Sequence, residues 1–265
     1  MIRLFAFLTC LIATSVTAET LRLAVTTSFH NSGLSDVLLP AIAKDTGIEV
    51  QLLVVGTGQA LKLGEAGDVD AILVHSKASE EKFVEAGFAT HRREIMYNDF
   101  VFIGPDDDPA QVRSAELATE ALERIATAQV PFISRGDESG THKKERALWQ
   151  DAQIDPETAG DWYKSVGSGM GASLNTASGF GAYIIADRAS WLNFDNKRDL
   201  ALLFSGDPAL FNQYAYLPVN PNRHPHVNAK AAEALEDWLT SLAAQALINT
   251  YKINNEALFV FNARR

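Results

Sequence analysis

The sequence predicts an α/β protein of two domains joined by two extended crossings. Residues 21–75 alternate strand-like and helix-like runs in the order βαβαβ, which implies a parallel sheet with its loops gathered at one edge. Two extended apolar runs, 98–104 and 214–219, bracket the middle of the chain, as expected where it leaves one domain and returns. The 265 residues are 47% hydrophobic, enough to bury one large core or two smaller ones.

The chain opens with Met1-Ile2-Arg3, an apolar run over 4–16, and then Val16-Thr17-Ala18. One positive charge, a short apolar core and small residues at its end describe a secretory signal peptide over 1–18, cleaved to leave Glu19 first. The run is too short to span a membrane. Cys10, the one cysteine, lies within it, so the mature chain has no disulfide, which fits the bacterial periplasm. Leu8-Thr9-Cys10 makes a poor lipid anchor because apolar residues continue beyond it. No later segment is apolar enough to cross a membrane. The formal net charge of -10 argues against nucleic acid or an anionic membrane as main partner.

Residues 21–26 read as a strand, followed by a polar turn through Asn31, Ser32 and Gly33. Residues 34–44 read as an amphipathic helix with Leu38, Leu39 and Ile42 on one side. Residues 48–55 form a second strand, broken by Gly56-Thr57-Gly58 before a helix over 59–65. A turn at Gly67-Asp68-Val69-Asp70 leads to a third strand, 71–75, and a helix over 80–86. The first extended run ends at Pro105, and Asp106-Asp107-Asp108-Pro109 reads as a boundary. Helices are expected over 115–127, 143–150, 180–187 and 229–250, and strands over 130–133 and 200–204. Crossings near Val101 and Leu217 divide the chain into 19–101 with 218–265 as domain I, and 102–217 as domain II. The cleft between two such domains is the default ligand site.

The segment from Ile133 to Glu145 carries the strongest chemical signal. It reads as strand, turn and helix start, and it holds Arg135, Gly136, Ser139, Gly140 and Thr141. A helix start presents unpaired N–H groups and a positive dipole end, so it attracts anions. Arginine adds a planar fork that matches an oxyanion. The segment is suited to a small tetrahedral oxyanion, although a helix cap with a local Arg–Asp pair explains the same residues. Three more loops offer N–H groups and hydroxyls without a cation: Thr26-Thr27-Ser28, Gly56-Thr57-Gly58, and 167–172 with Gly171 and Ala172. Each alone reads more readily as an ordinary turn. The 167–172 loop matches G-x-G-x-x-A, but 161–164 is not a clean strand and Asp187 is too near for a dinucleotide site. No phosphate-loop motif, zinc motif or nucleophile elbow is present, and no cofactor or metal is expected. His224-Pro225-His226 reads as a loop.

These segments together resemble the periplasmic tungstate-binding proteins of ABC transporters. The resemblance rests on Thr26-Thr27-Ser28 with Asn31-Ser32-Gly33-Leu34, on Gly56-Thr57-Gly58-Gln59-Ala60-Leu61, on Gly67-Asp68-Val69-Asp70 with Leu73-Val74-His75, on Asn98-Asp99-Phe100-Val101 with Gly104-Pro105, and above all on 134–145. It covers nearly all of the mature chain. Phe29 departs from it, where the family continues with a hydroxyl residue. The resemblance implies a two-domain type II periplasmic binding protein fold. It also implies a monomer that captures tungstate, with molybdate a weaker competitor, and delivers it to an ABC permease. The expected ligand-binding residues are Thr27, Ser28, Thr57, Gly58, Arg135, Ser139, Gly140, Thr141, Gly171 and Ala172.

Rivals follow from the same residues. Tungstate, molybdate and sulfate carry no proton at neutral pH and need donors only, whereas phosphate benefits from a carboxylate acceptor. Asp137 could be that acceptor, or a helix cap and partner of Arg135. A secreted hydrolase using Ser139 and His142 is the alternative from another class.

Overall fold

The computed structural model describes residues 19–158 and 160–264; the expected signal peptide lies outside them. In chain order the first half runs β1 Glu19–Thr26, α1 Thr27–Asn31, α2 Leu34–Thr46, β2 Ile48–Val55, α3 Thr57–Ala66, β3 Ala71–Val74 and α4 Lys77–Glu85. The 13-residue strand β4, Arg93–Pro105, follows. The middle of the chain gives α5 Ala118–Ala128, β5 Phe132–Ser134, α6 Gly140–Asp151, β6 Tyr163–Ser165, α7 Met170–Phe180, β7 Tyr183–Asp187, α8 Arg188–Leu192 and β8 Leu200–Phe204. Then come β9 Phe211–Pro218, α9 Ala229–Leu239, α10 Leu242–Thr250 and the short strands β10 Lys252–Ile253, β11 Glu256–Ala257 and β12 Val260–Phe261.

The α/β class is as the sequence predicts. One mixed sheet runs β2-β1-β3-β9-β4-β7-β5-β6. β1 lies parallel between β2 and β3, and its inner residues Leu23, Ala24 and Val25 are apolar and buried because both sheet faces are covered there. Leu21, Leu23 and Val25 face α2, α9 and α10, where Leu38, Ile42, Leu235 and Ile248 pack on them. Ala24 faces the other way, toward Ala60 of α3 and Phe83 of α4. A separate cluster around Phe102, Leu122, Phe132 and Trp149 is the core beneath α5 and α6.

β4 joins the two halves of the sheet. Arg93 to Asp99 pair with β9, and Phe100 to Ile103 pair with β7. The strand thus changes partner between Asp99 and Phe100. Leu217 pairs with Ile72 of β3, and Phe211 pairs with Asp99, so β9 belongs wholly to the first half.

Two helix expectations are corrected. The run 180–187 holds a strand, Tyr183–Asp187, with all five residues buried, and the helix precedes it as α7. The span 229–250 is two helices, because Ser241 caps a new one by accepting from Ala244 N at 3.2 Å. The run 161–164 reads as no clean strand, yet Tyr163–Ser165 form β6 beside β5.

Candidate functional site

Parallel strands bring their C-terminal ends to one edge, and the site is built there. β1 ends at Thr26, whose hydroxyl accepts from Phe29 N at 3.2 Å and so starts α1. Thr27 and Ser28 are the first residues of that helix. β3 ends beside β1, and the next residue, His75, meets Ser28: Oγ to Nε2 is 3.0 Å. Tyr214 of β9 reaches the same Ser28 hydroxyl at 3.3 Å and packs on the His75 ring, centroids 4.8 Å apart. Burial pushes the His75 pKa down to about 4, with a smaller contribution from the charge of Arg135, so the ring is neutral at pH 7.

On the other half, β5 leads into Arg135. Gly136 follows in the left-handed region, φ +60°, and comes so close to Ser165 that any side chain would collide with its hydroxyl. Arg135 NH2 pairs with Asp137 Oδ2, and NH1 lies 3.4 Å from Thr141 Oγ1. Its Nε is buried without a partner. Asp137 Oδ1 accepts from Ser139 N at 3.2 Å and from Ser139 Oγ at 2.6 Å. Burial raises the Asp137 pKa, but the Ser139 hydroxyl, the Arg135 charge and the Ser139 N–H outweigh it, so the carboxylate stays ionised. Ser139 Oγ in turn caps α6 by accepting from His142 N at 3.3 Å.

A cavity of about 500 Å³ opens between these parts. Thr27, Ser28 and Asn31 line it from α1, Arg135 from the β5 turn, Gly171 and Ala172 from the start of α7, and Asp187, Ser190 and Asn193 from β7 and α8. Five expected residues, Thr27, Ser28, Arg135, Gly171 and Ala172, thus share one lining. Gly140 and Thr141 stand just behind it, through their contacts with His75 and Arg135. Thr57 and Gly58 begin α3 and are not in the lining, although Thr57 Oγ1 is buried without a partner. A groove of about 810 Å³ along α6 (His142, Arg146, Gln150) shares none of the lining residues.

The geometry separates donors from caps. Ser139 has its proton on Asp137, and both Asp137 oxygens are engaged within the turn. What the cavity offers an anion is the Arg135 guanidinium, the Thr27 and Ser28 hydroxyls and the first N–H groups of α7, which Gly169 caps without a side chain. No group of His, Asp or Glu residues that could hold a metal ion occurs among the described residues.

The PBP superfamily domain matches residues 13–242. A protein named tungstate-binding protein TupA, from Peptoclostridium acidaminophilum, is 49% identical over 232 residues, 86% of this chain and 80% of its own. The chain belongs to the tungstate-binding protein family, within the PBP superfamily. A second TupA of this family, from Campylobacter jejuni, is 36% identical and covers 89% of both chains. A solved tungstate-binding TupA from Desulfovibrio alaskensis G20 is 45% identical, with TM-score 0.87, over 93% of this chain and 100% of its own. The solved tungstate ABC transporter protein from Geobacter sulfurreducens gives 46% identity and TM-score 0.80, over 88% and 99%. The mixed α/β fold expected from the family resemblance is therefore observed.

Sequence reasoning missed His75 and Tyr214, which meet the Ser28 hydroxyl, and Asp187 and Ser190, which line the cavity. His75 could have been found by the rule that selected Thr27, because it stands at the C-terminal end of an expected strand, whereas Asp187 ends a run that reads as a helix. Tyr214 could not, since only the antiparallel return of β9 brings it beside β3.

Proposed function

We propose that this protein captures tungstate in the cleft between α1, α7 and α8 and delivers it to an ABC permease. The observation that carries this is the Arg135 guanidinium, which lines the cleft together with hydroxyls and the first N–H groups of α7. Relatives named for tungstate binding support the choice of ion. The ion would be held through its oxygens by Thr27, Ser28, Arg135 and the N–H groups near Gly171 and Ala172. Thr141 would orient Arg135, and Thr57 and Gly58 would join only if α3 approaches the cleft on closure.

Molybdate, of nearly the same size, is the weaker competitor in this proposal. Asp137 does not serve as the acceptor phosphate would want, because it is outside the cavity lining and already takes bonds from Ser139 and Arg135. Hydrolysis through Ser139 and His142 is disfavoured. The Ser139 proton points at Asp137, and His142 Nδ1 accepts from Glu138 N at 3.1 Å. The protein acts by binding, as a monomer, with no cofactor.

Export is part of the same proposal. Cleavage after Ala18 would leave the described strand Glu19–Thr26 whole. No helix among the described residues is long and apolar enough to cross a membrane. Titration calorimetry of anion-stripped protein with tungstate, molybdate, sulfate and phosphate tests the proposal. Tungstate should bind tightest, at one ion per chain. Preference for phosphate, or no binding of any of these ions, would refute it.

A further inference from the structure

Asp187 is out of place in a cleft that should hold a dianion. It is 3% exposed, ends β7 and lines the cavity with Arg135 and Ser190. β5 and β7 run parallel and adjacent, so Arg135 and Asp187 emerge at the same sheet edge. Arg135 already pairs with Asp137. One guanidinium therefore shares this region with two carboxylates, which offset its charge before an anion arrives.

The bonds around Asp187 show how the conflict can be resolved. Ser190 N–H donates to Oδ1 at 2.9 Å, and the Ser190 hydroxyl donates to Oδ2 at 2.7 Å. In that state Ser190, which lines the cavity, turns lone pairs toward a ligand that can only accept. A proton on Oδ2 reverses the pair. The Asp187 O–H then donates to Ser190 Oγ, and the Ser190 proton turns to the cleft.

We propose that anion binding is coupled to uptake of one solvent proton by Asp187, which turns Ser190 from an acceptor into a donor for the bound oxyanion. The balance is one proton gained from water, with no bond between heavy atoms made or broken. The proposal rests on the oxyanion-binding role of this cleft.

The surroundings of Asp187 favour this site for the proton. Burial pushes its pKa up, partly offset by the Ser190 hydroxyl and N–H and by the Arg135 charge. Tyr214, on β9 beyond β4 in the sheet, is raised by burial and stays neutral. Arg188 on α8 is turned to Asp99 of β4, at 2.7 and 2.6 Å, and lies 3.7 Å from Glu256. α1 brings the exposed His30, and beyond Ser28 stands the neutral His75. α6, packed along β7, has His142 and Glu145 as its buried titratable groups, and Glu145 is bonded to Tyr163. α7 has no titratable residue. A dianion placed beside Asp187 raises its pKa further and draws in the proton.

The test is titration of anion-stripped protein with sodium tungstate, in buffers of low and high ionisation enthalpy, from about pH 7 to about pH 9. The wild type should show a buffer-dependent enthalpy that corresponds to uptake approaching one proton. Its Kd should rise by up to about tenfold per pH unit as uptake becomes complete. D187N, which keeps a capping residue, should show no buffer dependence and a flat pH profile, and should bind more tightly than the wild type at the alkaline end. If D187N folds poorly, D187S replaces it with the same expected loss. Buffer-independent binding by the wild type overturns the proposal and leaves the oxyanion role intact; so does proton uptake retained in D187N. Absence of binding at every pH overturns both.

Discussion

A methyl group placed on Gly140 would lie 2.7 Å from Cε1 of His75. Gly140 begins α6, and His75 follows β3, so the two halves of the protein touch here through an imidazole packed on bare backbone. The same ring holds the Ser28 hydroxyl. The contact therefore connects the start of α6 to the donors of α1.

Gly140→Ala separates packing from helix propensity. At the first position of a helix alanine is otherwise acceptable, so any loss must come from the displaced ring. The imidazole should move and release Ser28. We expect tungstate affinity to fall about tenfold to a hundredfold, or roughly 1.5–3 kcal/mol. Calorimetry measures it, and unchanged affinity would show that His75 does not set the Ser28 hydroxyl.

Arg135→Ala should cost more. It removes the cleft's guanidinium and leaves Asp137 without its ion-pair partner. The expected loss is roughly 2–4 kcal/mol, about thirtyfold to a thousandfold in affinity. Arg135→Lys should fall between, because it keeps the charge and loses the planar fork. Both variants should stay folded in thermal denaturation. Wild-type affinity in Arg135→Ala would make Arg135 a turn residue.

Glu145 gives a stability prediction independent of ligand. It is 2% exposed on α6 and accepts from the Tyr163 hydroxyl at 2.8 Å. Burial pushes its pKa from 4.5 up to about 7, against the opposing effect of that hydrogen bond. The folded state thus holds a proton that the unfolded chain releases first. Its contribution is fully present below about pH 4.5 and is lost as pH rises to about 7. Glu145→Gln keeps an acceptor for Tyr163 and removes the titration. Relative to the variant, the wild type should lose stability across that window, by up to roughly 3 kcal/mol. Melting curves at several pH values decide it, and parallel profiles would contradict it.

Much of the fold was legible because local pattern and tertiary burial agree. The strand at 48–55 and the helix from Leu34 follow from apolar periodicity and end at Gly56 and Gly47. The failures lie where burial overrides composition. α7 contains Gly171 and Gly179 with several hydroxyl residues, and its sequence reads as loop. Burial of Met170, Leu174 and Ala177 in the core makes it a helix, and Gly181 then ends it in the left-handed region. That error moved the expected helix onto β7 and hid Asp187 at its end. In the site, Arg135 was legible as a cation at a helix start. Ser139 was read as a ligand donor because a sequence does not show that Asp137 takes its proton. Tyr214 and His75 meet only through strand order, which the sequence of either segment does not contain.

The central claim is that one oxyanion sits between Arg135 and the start of α7. Anomalous diffraction from crystals grown with tungstate tests it most directly, because tungsten scatters strongly enough to be located without reference to the protein. One peak per chain is expected in the cleft, within hydrogen-bonding reach of the Arg135 guanidinium, Ser28 and the N–H groups near Gly171. A peak in the groove along α6 beside His142 and Arg146, or none in the cleft, would contradict the account.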